Sequence, residues 1–224
     1  MSGSLARAGQ LNYVSINTEM SAMSERGRPR TFDRTAALRQ AMELFWAKGY
    51  EGTSMADLTA AMGISSPSLY AAFGSKEALF LEATDYYTRT EGTEIWTALD
   101  EAPTACQAIE NFLRQTARAY SQNDRPQGCL IALGALHKDS SSGAICDDLR
   151  RRRAENHTLL LRRLERGVAE GELPKGFDSD AAATFYATVQ HGMSIQARDG
   201  ASYDALMATV AGAMAAWQGL AGTA

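Results

Sequence analysis

Polar side chains crowd into one short stretch of the chain: Ser54, Ser65, Ser66, Ser68, Tyr70 and Lys76, with Thr53 and Pro67 among them. Their chemistry suits recognition. A hydroxyl both donates and accepts, an ammonium offers three donors, and neither needs a partner base to grip a polar edge or an anionic oxygen. The chemistry of bond making is missing. There is no phosphate-binding glycine loop, nucleophile elbow, metal motif or pair of catalytic carboxylates. The reading is therefore not an enzyme, with no cofactor and no metal.

The elements that must hold this stretch are legible from spacing. Met55, Leu58 and Met62 repeat at three and four residues and share one helical face. Ser54 with Asp57 three residues on suits a capping box. Gly63 follows the last apolar residue, where a left-handed backbone commonly ends a helix. Ile64 reads as a core plug in the turn. Pro67 suits the first turn of the next helix, whose Leu69 and Phe73 face inward while Tyr70 is free to point outward. Ser66 is a further capping candidate, and Ser75 caps the helix after it. Helix, sharp turn and second helix outline a helix-turn-helix, which places one helix in the DNA major groove.

The same expectation follows from charge, read locally. The 224-residue chain carries a net charge of −4. Between Ser24 and Arg39, however, Arg26, Arg28, Arg30, Arg34 and Arg39 outnumber Glu25 and Asp33 by five to two, a local +3. The acidic remainder would orient an approach to a polyanion. Ser66, Pro67 and Ser68 stand where base edges are read, the hydroxyls by hydrogen bonds and the proline ring against a thymine methyl. Thr53 or Ser54 is positioned to hold a phosphate, and Arg28 and Arg30 in the arm RGRPR to enter a minor groove.

The segment FDRTAALRQAMELFWAKGYEGTSMADLTAAMGISSPSLYAAFGSKEALF resembles the N-terminal domain of the TetR family of transcriptional regulators. The resemblance rests on the Lys48-Gly49-Tyr50 turn, the Gly63 turn, the Ser-Leu-Tyr helix and Phe-Gly-Ser-Lys-Glu. Thr59 departs from the family's usual Ala, a hydroxyl tolerable if it bonds back to its helix. Ser65 and Ser66 are small where many relatives carry a larger polar residue. The resemblance implies phosphate contacts for Tyr70 and Lys76, the latter at a helix N-terminus with unpaired N–H groups. It also implies a homodimer on a palindromic double-stranded operator, repression rather than activation, and an unidentified small-molecule effector.

No alternating β-branched run occurs, so the fold reads as all-α: an N-terminal three-helix DNA-binding domain plus a larger C-terminal helical domain for ligand binding and dimerisation. The expected division is 1–30 as a flexible basic arm, 31–77 as the helix-turn-helix domain, and 78–224 as the regulatory domain. Asp33 caps a first helix burying Ala37, Leu38, Ala41, Leu44 and Phe45. The helix from Ser75 is expected to run to about Leu99. Further helices are read over 104–120, 129–137, 144–170, 179–198 and 202–219, with a turn at 140–143. Trp96, Phe112, Tyr120, Cys129, Leu133 and His137 are the candidate walls of a ligand cavity. Phe185, Val189, Met193, Leu206, Val210, Met214 and Trp217 are the candidate dimer interface.

Two alternatives stand beside these. The stretch GCLIALGA with Cys129, which follows a loop, resembles a segment in family members that sense electrophiles or oxidants, which makes a thiol-responsive repressor an alternative. A structural helical adaptor without DNA binding is the alternative of another class. Arg150 to Arg153 lies between Asp147-Asp148 and Glu155 and reads as a salt-bridged helix face. With no membrane-length apolar run, no secretory leader pattern and an odd count of three Cys, the expected place is the cytoplasm.

Overall fold

The computed structural model describes residues 32–135 and 143–221. Among them every regular element is helical: α1 (Arg34–Lys48), α2 (Met55–Met62), α3 (Ser66–Phe73), α4 (Lys76–Thr90), α5 (Thr93–Asp100), α6 (Ala105–Tyr120), α7 (Leu130–Leu133), α8 (Gly143–Ala169), α9 (Ser179–Arg198), α10 (Tyr203–Ala215) and α11 (Trp217–Ala221). Among the described residues no helix is long and apolar enough to cross a membrane.

The first helices are delimited by the caps that the sequence suggested. Asp33 accepts from Thr35 N at 2.9 Å and Ala36 N at 3.1 Å. Ser54 and Asp57 form the reciprocal capping box of α2. Ser75 accepts from Ala78 N at 3.0 Å and starts α4. Each such cap satisfies donors that would otherwise be orphaned and contributes about 1 kcal/mol. α1 lies against α2 and α4. Phe45 meets Phe80 edge-on, with ring centroids 4.9 Å apart, and Tyr50 meets the same ring at 5.2 Å. Leu58, Leu69 and Leu79 bury completely beneath them. Arg34 closes the unit from outside: it is paired with Glu82, donates to Ala72 O at 3.3 Å and stacks 4.4 Å over Phe73.

Beyond α4, the 16-residue α6 is the hub. Its Ala108, Ile109, Phe112, Leu113 and Ala117 are fully enclosed. α5, α8, α9 and α10 all pack on it.

Several expected boundaries are corrected. The helix from Ser75 does not reach Leu99; it stops at Thr90, and α5 starts at Thr93. Three threonines loosen this stretch by bonding back to carbonyls of the preceding turn: Thr88 to Thr84 O at 2.9 Å, Thr90 to Tyr86 O at 2.9 Å and Thr93 to Arg89 O at 2.9 Å. Such bonds compete with the helical ladder, and Gly92 beside them adds backbone freedom. Of the helix expected over 129–137, the described residues hold a single turn, Leu130–Leu133, and the Gly134 carbonyl just beyond it accepts from Tyr50 N at 3.1 Å. Gly143 begins α8 rather than ending a turn, and the final helix breaks between Ala215 and Trp217. Leu44 is only half-buried, while Met42 and Trp46 complete the inner face of α1. Arg28, Arg30 and His137 lie outside the described residues.

Candidate nucleic-acid interface

Gly63 turns the chain between α2 and α3 with φ +65° and ψ +28°, and its N–H bonds back to Ala60 O at 3.3 Å. A Cβ there would meet nothing, so the backbone conformation alone asks for glycine. Thr59 is accommodated by donating its hydroxyl to Ala56 O at 3.0 Å.

α3 is anchored by Leu69 and Phe73 on one side and presents Ser66, Pro67 and Tyr70 on the other. Ser66 and Tyr70 are four residues apart and so share a face. Tyr70 is 50% exposed, with its phenol in solvent. The cap of α3 is Ser65 rather than Ser66: Ser65 Oγ accepts from Ser68 N at 3.3 Å and lies 2.9 Å from Ser68 Oγ. The hydroxyls of Ser65 and Ser68 therefore engage each other, and the uncommitted groups at the tip are Ser66 and Pro67.

Thr53 is corrected. It is fully buried and its hydroxyl donates to Gly49 O at 2.7 Å, so it supports the α1–α2 turn from inside. Ser54 is exposed, but its hydroxyl bridges to Asp57 Oδ2 at 2.8 Å. The Ser54 backbone N–H and hydroxyl, with Lys48 Nζ 3.2 Å from Oδ1, hold the Asp57 carboxyl down at about 2. Lys76 is the first residue of α4, and its ammonium sits 4.2 Å over the ring of Tyr50. Burial pushes its pKa down, and the Tyr50 ring holds the amine of this first-turn residue in place. Arg34 and Arg39, counted in the local basic excess, are paired with Glu82 and Glu43.

A second group of residues gathers around Cys129. A cavity of about 50 Å³ is bounded by Tyr87, Trp96, Tyr120, Cys129, Arg152 and Gln190. Three of the expected wall residues are thus brought together: Trp96, Tyr120 and Cys129. Phe112 is behind the wall, packed on Trp96 at 5.3 Å, and Leu133 lines a different hollow with His191 and Ile195. Cys129 N donates to Ser194 Oγ at 2.8 Å. Burial, with the Cys129 sulfur against their hydroxyls, pushes the phenols of Tyr87 and Tyr120 well above the usual tyrosine range. Tyr87, Gln190 and Ser194 carried no sequence mark of this role; only the fold brings them to the thiol.

This loop is wired to the helix-turn-helix unit. Trp46 Nε1 donates to Gly128 O at 3.1 Å. Arg198 donates to Gln127 O at 3.0 Å, Trp46 O at 2.8 Å and Ala47 O at 3.2 Å.

The expected dimer stripes are corrected in part. Met193, Leu206, Val210 and Trp217 are buried against their own chain, and Val189 and Met214 lie at its margin. Phe185 is exposed, together with Ile195 and Tyr203. The basic run of α8 is salt-bridged as expected: Arg150 with Asp147, Arg151 with Asp148 and Glu155, Arg152 with Asp148 and Asp85, while Arg153 donates to Ile131 O at 2.8 Å.

Residues 37–83 match the model of bacterial regulatory proteins of the tetR family, and residues 105–210 match the tetracyclin repressor-like C-terminal domain. The chain is 37% identical over 198 residues to the HTH-type transcriptional repressor ComR of Escherichia coli, an alignment covering 86% of this chain and 92% of that one. It is 33% identical over 185 residues to the HTH-type transcriptional repressor BdcR of Escherichia coli, covering 83% and 89% respectively. A cysteine mutant of the TetR family regulator CifR, solved with 26bp double-strand operator DNA, superposes with a TM-score of 0.82 at 46% identity, covering 85% of this chain and 100% of that one. A capped helix pair with an outward recognition face, joined to matches across most of the sequence, leads to one conclusion: the chain belongs to the TetR family and is a DNA-binding transcriptional repressor, not an enzyme.

Proposed function

We propose that this repressor acts in the cytoplasm as a homodimer on a palindromic double-stranded operator and is released by a small molecule bound in its second domain. On this reading residues 31–77 read DNA, residues 78–224 sense and dimerise, and Arg28 and Arg30 in the arm 1–30 reach the minor groove. The observation that carries the reading is α3: its tip offers Ser66 and Pro67 to base edges, while Tyr70 on the same helix and Lys76 at the start of α4 flank it for phosphates. The relative solved with operator DNA supports it. A single recognition helix spans few base pairs, so two copies are needed. The outward face of α9 and α10 suits the pairing: Phe185 and Ile195 stand there, and exposed Ala205, Ala208 and Gly212 form a small-residue stripe that permits close approach.

Release follows from α4. This helix has Lys76 at its DNA end and Tyr87 and Thr88 in the cavity wall, about 17 Å away at 1.5 Å per residue. A cavity of about 50 Å³ holds a few waters at most, so an effector must push its walls apart and move that helix. Light scattering tests the assembly: a dimer is expected, and a monomer at micromolar concentration contradicts it.

A second reading is favoured by Cys129 itself. Its thiol lines the crowded cavity, on the loop that supplies carbonyls to Trp46 and Arg198. Iodoacetamide tests it. The thiolate sulfur forms a bond to carbon, iodide leaves, and the thiol proton goes to solvent. Release of DNA by the wild type and not by Cys129→Ser supports thiol sensing; alkylated Cys129 with DNA binding unchanged removes it.

A further inference from the structure

α5 and α8 enclose a groove separate from the inner cavity, and its volume of about 530 Å³ falls within the range that accommodates small molecules. Trp96, Leu99 and Leu159 form its apolar walls, and Arg162, Arg163 and Arg166 its polar side. On α8, positions 159, 162, 163 and 166 follow the i, i+3, i+4, i+7 pattern of one helical face. Leu159 is 40% exposed, an apolar side chain left at the mouth of the groove.

Arg163 is the anomaly. Its side chain is only 2% exposed, yet its Nε and Nη1 have no hydrogen-bond partner. Its Nη2 reaches Ala102 O at 3.3 Å and lies 3.6 Å from Glu172 Oε2. That carboxylate oxygen already accepts from the Ala105 backbone N–H. A buried charge with unmet donors is costly unless something supplies the acceptors. Arg166 is turned to Asp100, donating to its carbonyl at 2.9 Å with the carboxylate at 3.4 Å.

We infer that this groove is a binding site for an organic monocarboxylate with an apolar body. The carboxylate takes one open donor of Arg163, and the exposed Arg162 beside it supplies a second charged contact. The body lies against Trp96, Leu99 and Leu159. Charge balance selects a monoanion. Three arginines face two carboxylates, Asp100 and Glu172, which leaves a net +1; a phosphate dianion overshoots this and has no use for the apolar walls. The inference does not rest on effector-controlled release, because it concerns binding to the DNA-free protein. Trp96 borders both the groove and the inner cavity, so it reports occupancy.

The test is calorimetric titration of the full chain with sodium octanoate and sodium benzoate, alongside benzyl alcohol and inorganic phosphate, with tryptophan fluorescence as a second readout. Saturable binding of at least one carboxylate is expected at one site per chain, at affinities that benzyl alcohol and phosphate do not match. Leu159→Glu places a carboxylate in the mouth from an exposed position and is expected to weaken binding about tenfold or more, as is Arg163→Gln. Should Arg163→Gln fail to fold, Arg162→Gln and Leu159→Glu carry the comparison. Absence of saturable carboxylate binding, equal binding of phosphate, or binding unchanged by Leu159→Glu overturns the assignment.

Discussion

Arg198, in the last turn of α9, donates to Trp46 O at 2.8 Å and so caps the C-terminal end of α1. Its second Nη donates to Ala47 O at 3.2 Å. The final carbonyls of a helix lack partners within it, and a cation there also meets the negative end of the helix dipole. The same guanidinium holds Gln127 O, two residues before Cys129. One side chain thus joins the DNA-binding helices to the loop that lines the inner cavity.

Arg198→Met keeps much of the apolar stem and removes these bonds. It is expected to lower stability by about 1.5–3 kcal/mol, the range for charged hydrogen bonds. Urea unfolding measures this. A loss within a few tenths of a kcal/mol of zero means that the clamp is a surface ornament.

Lys76→Ala removes one charge without altering any base-reading group. Affinity is expected to fall alike on specific and random duplexes, and the slope of log affinity against log salt to decrease by about 0.9. Tyr70→Phe removes a hydrogen bond but no charge, so a uniform loss is expected with the slope kept. A loss confined to the specific duplex contradicts either phosphate role.

The α2 capping box has a pH signature. The Ser54 N–H and hydroxyl lower the Asp57 carboxyl from 3.8 to about 2. Its ionised form therefore favours the folded state at every pH above 3.8, and that contribution fades as pH falls from 3.8 toward about 2. Asp57→Asn is expected to be less stable than wild type at neutral pH, with the gap closing through this window. Urea midpoints across the pH series check it; a gap independent of pH removes the charge from the explanation.

Gly128 has φ +77°, and a Cβ on it would stand 2.6 Å from Ser194 O. Gly128→Ala is expected to destabilise by about 1–3 kcal/mol through backbone strain, and by more if α9 must move. Thermal unfolding measures it, and an unchanged midpoint contradicts the close packing of this loop on α9.

The helix-turn-helix was legible because its signals are local. The caps Asp33, Ser54 and Ser75, the Gly63 turn and the Met55–Leu58–Met62 and Leu69–Phe73 spacings each act within a few residues. The rest depended on distant neighbours. Periodicity marked Met193, Leu206 and Val210 as a buried face but carried no information on which chain buries it; they pack at home. Thr53 looked available for phosphate because its residue type does not show that the turn folds its hydroxyl back onto Gly49 O and buries it. The break at Gly92 was masked by a continuing apolar pattern. The Arg198 clamp and the orphaned donors of Arg163 carry no sequence signal, since their partners and gaps arise only on folding.

Selection of bound sequences from a random duplex pool tests the central claim most directly. The enriched pool is expected to converge on one half-site repeated in inverted orientation at fixed spacing, and Pro67→Ala to alter the preferred bases within it while leaving the spacing alone. Recovery of no consensus, or of a single asymmetric site, contradicts a repressor that reads DNA as a pair of α3 helices.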